Sequence, residues 1–187
     1  MKTIKNIITI AILAISVTSC IKNDDDGTPE IVNQEEVITT VQLILVPEQG
    51  ETITLRAVDT DGDSGPNEPV ITVSGNLLAS TSYTGMVQFL NETESPAENI
   101  TAEVAEEADE HQVFYIPSSG LNASITYGDF DNNNNPLGTE IDLQTGATSS
   151  GNLTITLRHE PAKPNDGTLV NAGGETDVAV TFPVVIE

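Results

Sequence analysis

Short runs of alternating apolar and polar residues, separated by Gly, Asn, Asp and Pro, cover most of the chain after residue 36. Side chains alternate between the two faces of a strand, so each run can bury one face. The first two runs, 37–45 and 52–58, flank a turn at 47–50 and predict a hairpin. The pattern predicts an all-β fold, a single antiparallel β-sandwich of seven to nine strands. The remaining predicted strands are 70–74, 81–90, 111–116, 122–127, 140–144, 152–158 and 177–186.

Composition supports this fold class, because the chain has no Trp, few aromatic residues and abundant Thr, Val, Ile, Asn and Gly. One segment departs from strand periodicity. Ile100, Val104 and Ala108 lie four residues apart and form a narrow apolar stripe. This spacing predicts one short helix or an ordered acidic crossover between strands.

The fourth predicted strand carries a resemblance to known sandwiches. The run from Leu78 to Tyr83 resembles the approach to a strand in fibronectin-type and immunoglobulin-like domains. The resemblance implies that the sandwich is immunoglobulin-like.

The N-terminus predicts export. Lys2 and Lys5 precede an apolar run of about a dozen residues, too short for the roughly 20 that span a bilayer, and small residues follow it. The run Val17-Thr18-Ser19-Cys20 resembles a bacterial lipobox, which implies cleavage before Cys20 and acylation of Cys20. The sequence has no other cysteine, so a disulfide within the chain is excluded.

The residues after the predicted cleavage site indicate a location. Asn23-Asp24-Asp25-Asp26 resembles the acidic export signal of Bacteroidota surface lipoproteins, which implies anchoring at the outer face of the outer membrane. The alternative is that this acidic run is only part of a solvated tether. The predicted organisation is therefore a signal peptide (1–19), an acylated flexible tether (20–36) and a β-sandwich domain (37–187).

Charge excludes one class of partner. Removal of the leader leaves four basic residues against 29 acidic ones, so the net charge changes from −23 to −25. Nucleic-acid binding requires Lys and Arg to neutralise phosphates, and this composition opposes it. Such a surface favours cations, or keeps the protein soluble.

The two histidines are candidate metal ligands. His111 opens one predicted strand and His159 closes another, so antiparallel strands would place both at the same end of the sandwich. With Glu110, Glu160 and the neighbouring Asp109 they would offer imidazole and carboxylate ligands to zinc or copper. Surface histidines at strand ends are also ordinary, and that alternative stays open.

Two acidic loops are candidates for calcium. Asp59, Asp61 and Asp63, with Glu68 nearby, place carboxylates at alternate positions, as calcium loops do. The resemblance to an EF-hand is incomplete, because Ser64 stands where glycine is expected and Val70 where a glutamate is expected. A second loop places Asp131, Asn133 and Asn135 at alternate positions. Simple turn chemistry explains both loops without calcium and is the favoured interpretation of each.

The sequence lacks the signatures of nucleophilic catalysis and of phosphate-binding loops, so we predict a protein that is not an enzyme. The leading hypothesis is a surface lipoprotein acting as a binding or accessory module. The resemblance to Bacteroidota lipoproteins implies a partner, an outer-membrane transporter that this module helps to capture a ligand. The alternatives are a cation-binding lipoprotein, for calcium or for zinc or copper, and a structural or adhesive surface protein.

Overall fold

The computed structural model describes residues 36–61, 65 and 67–187. The predictions for the signal peptide, Cys20 and the tether up to residue 35 lie outside these residues. Within them, the chain forms strands β1 to β10 and helices α1 and α2 in the following order: β1 (Thr40–Pro47), β2 (Ile53–Val58), β3 (Val70–Val73), β4 (Ser82–Asn91), β5 (Glu98–Asn99), α1 (Ile100–Glu106), β6 (His111–Pro117), β7 (Ala123–Tyr127), β8 (Glu140–Thr145), β9 (Ser149–His159), α2 (Leu169–Ala172) and β10 (Glu175–Ile186).

The strands form two sheets of unequal size, and every ladder between named strands is antiparallel. The larger sheet has the order β3-β2-β1-β4-β8-β7, with β5 paired to β4, and the smaller sheet has the order β10-β9-β6. The prediction of an all-β sandwich is confirmed. Ten strands form, and the additional one is β5, a two-residue ladder too short to give a sequence pattern.

The core lies between the inner faces of the two sheets, as the alternation predicts. On β4, Tyr83, Val87 and Phe89 are buried and point inward, at most 2% exposed. Gly85 lies between them, and a Cβ there would come within 2.6 Å of Ile141. Glycine therefore lets β4 and its neighbours pack closely.

Helix α1 is the predicted short helix. Ile100 and Val104 are its buried residues, 3% and 0% exposed, and they join the main hydrophobic core. Thr101 Oγ1 accepts a hydrogen bond of 2.8 Å from the backbone N–H of Phe89, which attaches the helix to β4. None of the helices in the described part of the chain has the length and apolarity needed to cross a membrane.

The segment between β9 and β10 was not predicted. It contains α2 and is attached by Lys163, whose Nζ donates a 2.6 Å hydrogen bond to the carbonyl of Ala108. Asn165 donates through Nδ2 to the side-chain oxygen of Gln112 on β6, at 2.7 Å. These contacts hold the segment over the ends of α1 and β6, close to the histidine pair.

Candidate functional site

The two histidines face each other on neighbouring strands. β6 begins at His111 and β9 ends at His159, and the antiparallel register pairs these two residues directly. Their rings stack with centroids 4.8 Å apart and planes inclined by 12°. They lie two residues along each strand from the fully buried pair Val113 and Leu157, on the same face, so the histidine pair is the last one on the core-facing side of the smaller sheet.

Two acidic residues lie beside the more exposed histidine, His159. We call the three residues together the outer cluster: Glu110, His159 and Glu160. One ligand atom from each lies within 4.8 Å of the others. His159 Nε2 is 3.9 Å from Glu110 Oε2, and the side chains are 14% and 54% exposed. The backbone N–H of Glu160 donates to the carbonyl of Glu110 at 2.6 Å, which holds the two acidic residues together.

A second group surrounds the buried histidine, and we call it the inner cluster: Glu36, Glu107, His111 and Asp177. His111 Nε2 is 3.7 Å from Glu36 Oε1 and 3.9 Å from Asp177 Oδ2. The side chains of His111 and Asp177 are buried, 1% and 2% exposed, whereas Glu36 is 14% exposed and Glu107 is exposed. Ligand atoms of Glu36, Glu107 and His111 also lie within 4.8 Å of one another.

A β-bulge places Asp177 in the inner cluster. In the β9–β10 ladder Thr176 pairs with Arg158 and Val178 pairs with Leu157, so Asp177 is an extra residue without a place in the register. An extra residue bends its strand and redirects a side chain. Without the bulge, strand alternation would place the side chains of Asp177 and Val178 on opposite faces of the sheet. Val178 faces the core, so Asp177 would then point away from it.

One end of α1 fixes the buried imidazole. His111 Nδ1 lies 3.3 Å from the carbonyl oxygen of Glu107, the residue that caps the helix. A carbonyl oxygen only accepts hydrogen bonds, so Nδ1 carries the proton and donates it. The other nitrogen, Nε2, then presents its lone pair toward Glu36 and Asp177.

The electrostatic environment of this cluster is strongly negative. Burial, together with the charges of Asp177, Glu103 and Glu107, raises the pKa of Glu36 to about 7. Burial lowers the pKa of His111 below its usual range, although the Glu107 carbonyl partly opposes this. A neutral imidazole is the form that binds metal ions.

The sequence singled out His111, His159, Glu110 and Glu160, and the structure brings all four to one end of the smaller sheet. Glu36, Glu107 and Asp177 were missed. Glu36 stood at the end of the predicted tether, and the bulge that redirects Asp177 has no local pattern. Glu107 precedes His111 by four residues, and this spacing is the one signal that was available.

The first calcium candidate is only partly described, because Asp63 lies outside the described residues. The carboxylate of Asp61 accepts hydrogen bonds from the side-chain Nδ2 of Asn67 at 2.8 Å and from its backbone N–H at 3.3 Å. Asp59 Oδ1 accepts from the N–H of Asp61 at 3.2 Å, and Glu68 is exposed. Calcium binding by this loop stays a prediction.

The second calcium candidate uses its carboxylates to hold its own turn. Asp131 Oδ1 accepts from the backbone N–H groups of Asn133 and Asn135, at 2.9 and 2.8 Å. Asp129 accepts from the N–H groups of Gly138 and Thr139, at 2.8 and 3.1 Å. This network accounts for the acidic and amide residues of the loop between β7 and β8.

No known protein family, curated protein or solved structure matches the chain. The functional argument therefore depends on the geometry of the two clusters.

Proposed function

We propose that the protein is a non-enzymatic, lipid-anchored surface module that binds a divalent transition-metal ion at the outer cluster. One observation supports this proposal most directly: an imidazole and two carboxylates present ligand atoms within 4.8 Å of one another at an accessible end of the smaller sheet. Zinc binds such nitrogen and oxygen ligands, with three protein ligands leaving a fourth position open.

Ligand type favours zinc or copper over calcium. Calcium takes six to eight oxygen ligands, whereas the outer cluster centres on the imidazole of His159. Imidazole suits zinc and copper. An open fourth position would let the module take up and release the ion, as a binding module requires.

Net charge and anchoring support the same role. A mature net charge of −25 concentrates cations near the protein surface. The lipobox-like sequence at Cys20 and the acidic run behind it support anchoring at the outer face of an outer membrane. The resemblance to Bacteroidota lipoproteins implies that the module helps an outer-membrane transporter to capture a ligand, and we propose that this ligand is the bound ion.

Isothermal titration of the chelator-treated full chain with zinc tests the proposal. We expect binding at the outer cluster to be lost, or weakened at least about tenfold, in the variant Glu110→Gln/Glu160→Gln. Both side chains are exposed, so the substitutions leave the core intact. Glu48→Gln, exposed in the β1–β2 turn, is the matched control and should bind as the wild type does. Unchanged zinc affinity and stoichiometry in the double variant would refute the proposal.

A further inference from the structure

The inner cluster has the construction of a binding site of its own. We propose that Glu36, Glu107, His111 and Asp177 form a second, partly buried site for a divalent transition-metal ion, in which Glu107 is the exposed member. The ion bound there fastens the chain ahead of β1 to the end of α1 and to β10. This inference uses residues outside the outer cluster and does not depend on metal binding there.

Distances in the inner cluster suit an ion between the groups. The separations of 3.7 Å and 3.9 Å between His111 Nε2 and the oxygens of Glu36 and Asp177 exceed a hydrogen bond. Tetrahedral zinc with bonds of about 2.0–2.2 Å sets its ligand atoms roughly 3.3–3.6 Å apart. Small movements of the side chains would therefore close the site around zinc.

Burial and charge favour a positive partner here. Buried carboxylates are stable when they are paired with a cation or coordinate a metal. Glu36 Oε2 is buried and has no hydrogen-bond partner among the described residues. The lone pair of His111 Nε2 faces these acidic oxygens, so when both carboxylates are ionised three acceptor groups converge on one point. A divalent cation there binds the lone pairs of all three.

The basic residues of the described chain are engaged with other groups. Arg56 pairs with Glu92 at 2.8 Å, and Lys163 pairs with Asp131 at 3.4 Å. Arg158 Nη1 donates to the carbonyl of Gly174 at 3.0 Å.

Second-sphere contacts complete the site. The histidine ligands of metal ions commonly donate their other ring N–H to a carbonyl, which fixes the tautomer and the ring orientation. His111 does this through the carbonyl of Glu107. The bulge in β10 supplies Asp177. The site therefore draws ligands from the chain before β1, from α1, from β6 and from β10.

The ligand set identifies the class of ion. One imidazole and up to three carboxylates give a nitrogen and oxygen set that suits zinc better than the all-oxygen preference of calcium or magnesium. His111 and Asp177 are 1% and 2% exposed, which favours a structural role, in contrast to the more accessible outer cluster.

Calorimetry and thermal unfolding of the full chain with zinc test the inference. We expect two zinc-binding events in the wild type. Asp177→Asn and Glu36→Gln should each weaken one event at least about tenfold and reduce the rise in Tm on adding zinc. Glu175→Gln, exposed on the same strand, should retain both events and the full rise.

Hydrogen exchange independently tests whether the bound ion attaches the chain ahead of β1 to the rest of the domain. Zinc should slow exchange of the amides at 37–40 in the wild type but not in Glu36→Gln. Wild-type zinc stoichiometry and affinity in both Asp177→Asn and Glu36→Gln would overturn the inner site, and unchanged exchange at 37–40 would overturn the fastening. If Glu110→Gln/Glu160→Gln loses a zinc-binding event while Asp177→Asn and Glu36→Gln both bind zinc as the wild type does, the outer cluster is supported and the inner site is refuted.

Discussion

Gly174 is the residue that allows β10 to begin close to His159. Its φ of +69° lies in the left-handed region, and a Cβ would collide with the carbonyl oxygen of His159 and lie 2.9 Å from the carbonyl carbon of Glu160. We expect Gly174→Ala to destabilise the fold by about 2–4 kcal/mol, combining the left-handed cost with the collision. The measurement is the free energy of unfolding in urea.

Gly167→Ala is the matched control for that substitution. Gly167 has a φ of +79°, and a Cβ there meets nothing within 4 Å, so only the left-handed cost of about 1–2 kcal/mol applies. Zinc binding should also weaken in Gly174→Ala, because His159 and Glu160 move, and should be unchanged in Gly167→Ala. Equal losses of unfolding free energy in Gly174→Ala and Gly167→Ala would contradict this account of the close contact between Gly174 and His159.

Asp131 stabilises the β7–β8 loop in its charged form. Burial alone would raise its pKa, but hydrogen bonds from Asn135 and Asn133 and the charge of Lys163 lower the pKa below its usual range. A lowered pKa in the folded state means that this stabilisation is present above about pH 4 and is lost as the pH falls further.

We therefore expect Asp131→Asn to cost about 1–3 kcal/mol at pH 7 and less near pH 3. Urea unfolding at the two pH values measures both differences. Asp142→Asn, exposed on β8, should change the stability by less than about 0.5 kcal/mol at either pH. A cost for Asp131→Asn that does not shrink in acid would show that its charge contributes nothing.

Single residues also show what the sequence could reveal of the site. His111 and His159 could be placed at one end of the sandwich because strand direction follows from antiparallel pairing. Their direct pairing required the register of β6 and β9, which alternation leaves open by steps of two residues. Asp177 could not be placed, because a bulge arises from tertiary packing.

At the scale of elements, β10 is the strand on which burial differs most clearly between the inner and the outer face. Val184 is 3% exposed and Val185 is 42% exposed, so the same residue type occupies opposite faces at adjacent positions. We expect Val184→Ala to cost about 2 kcal/mol and Val185→Ala less than about 0.5 kcal/mol in the free energy of unfolding. Similar costs at the two positions would contradict the assignment of faces.

Most elements were predictable because their signal is local. Nine of the ten strands in the described part of the chain, and α1, were identified from periods of two and of roughly four residues. β1 begins at Thr40 rather than at Val37, which is 58% exposed, because pairing rather than apolar character decides where a strand starts. The order β3-β2-β1-β4-β8-β7 was not predictable, since alternation does not specify which strands become neighbours.

At the scale of the whole molecule, the predicted anchor and the acidic composition give one joint prediction. Cleavage before Cys20 would leave a net charge of −25, which would repel anionic lipid, so we expect attachment to a membrane to depend on acyl chains at Cys20. We expect Cys20→Ala to abolish incorporation of labelled palmitate in a bacterial host that processes lipoproteins, since Cys20 is the sole thiol. Ser19→Ala keeps a small residue before the cleavage site and should remain labelled. A wild-type chain that takes up no label would refute lipidation.

Anomalous diffraction at the zinc absorption edge, from crystals of the full chain grown with zinc, tests the central claim most directly. The account predicts a peak within bonding distance of the His159 imidazole and the carboxylates of Glu110 and Glu160, with bonds of about 2.0–2.2 Å. Crystals that contain zinc but show no anomalous peak at His159 would contradict it.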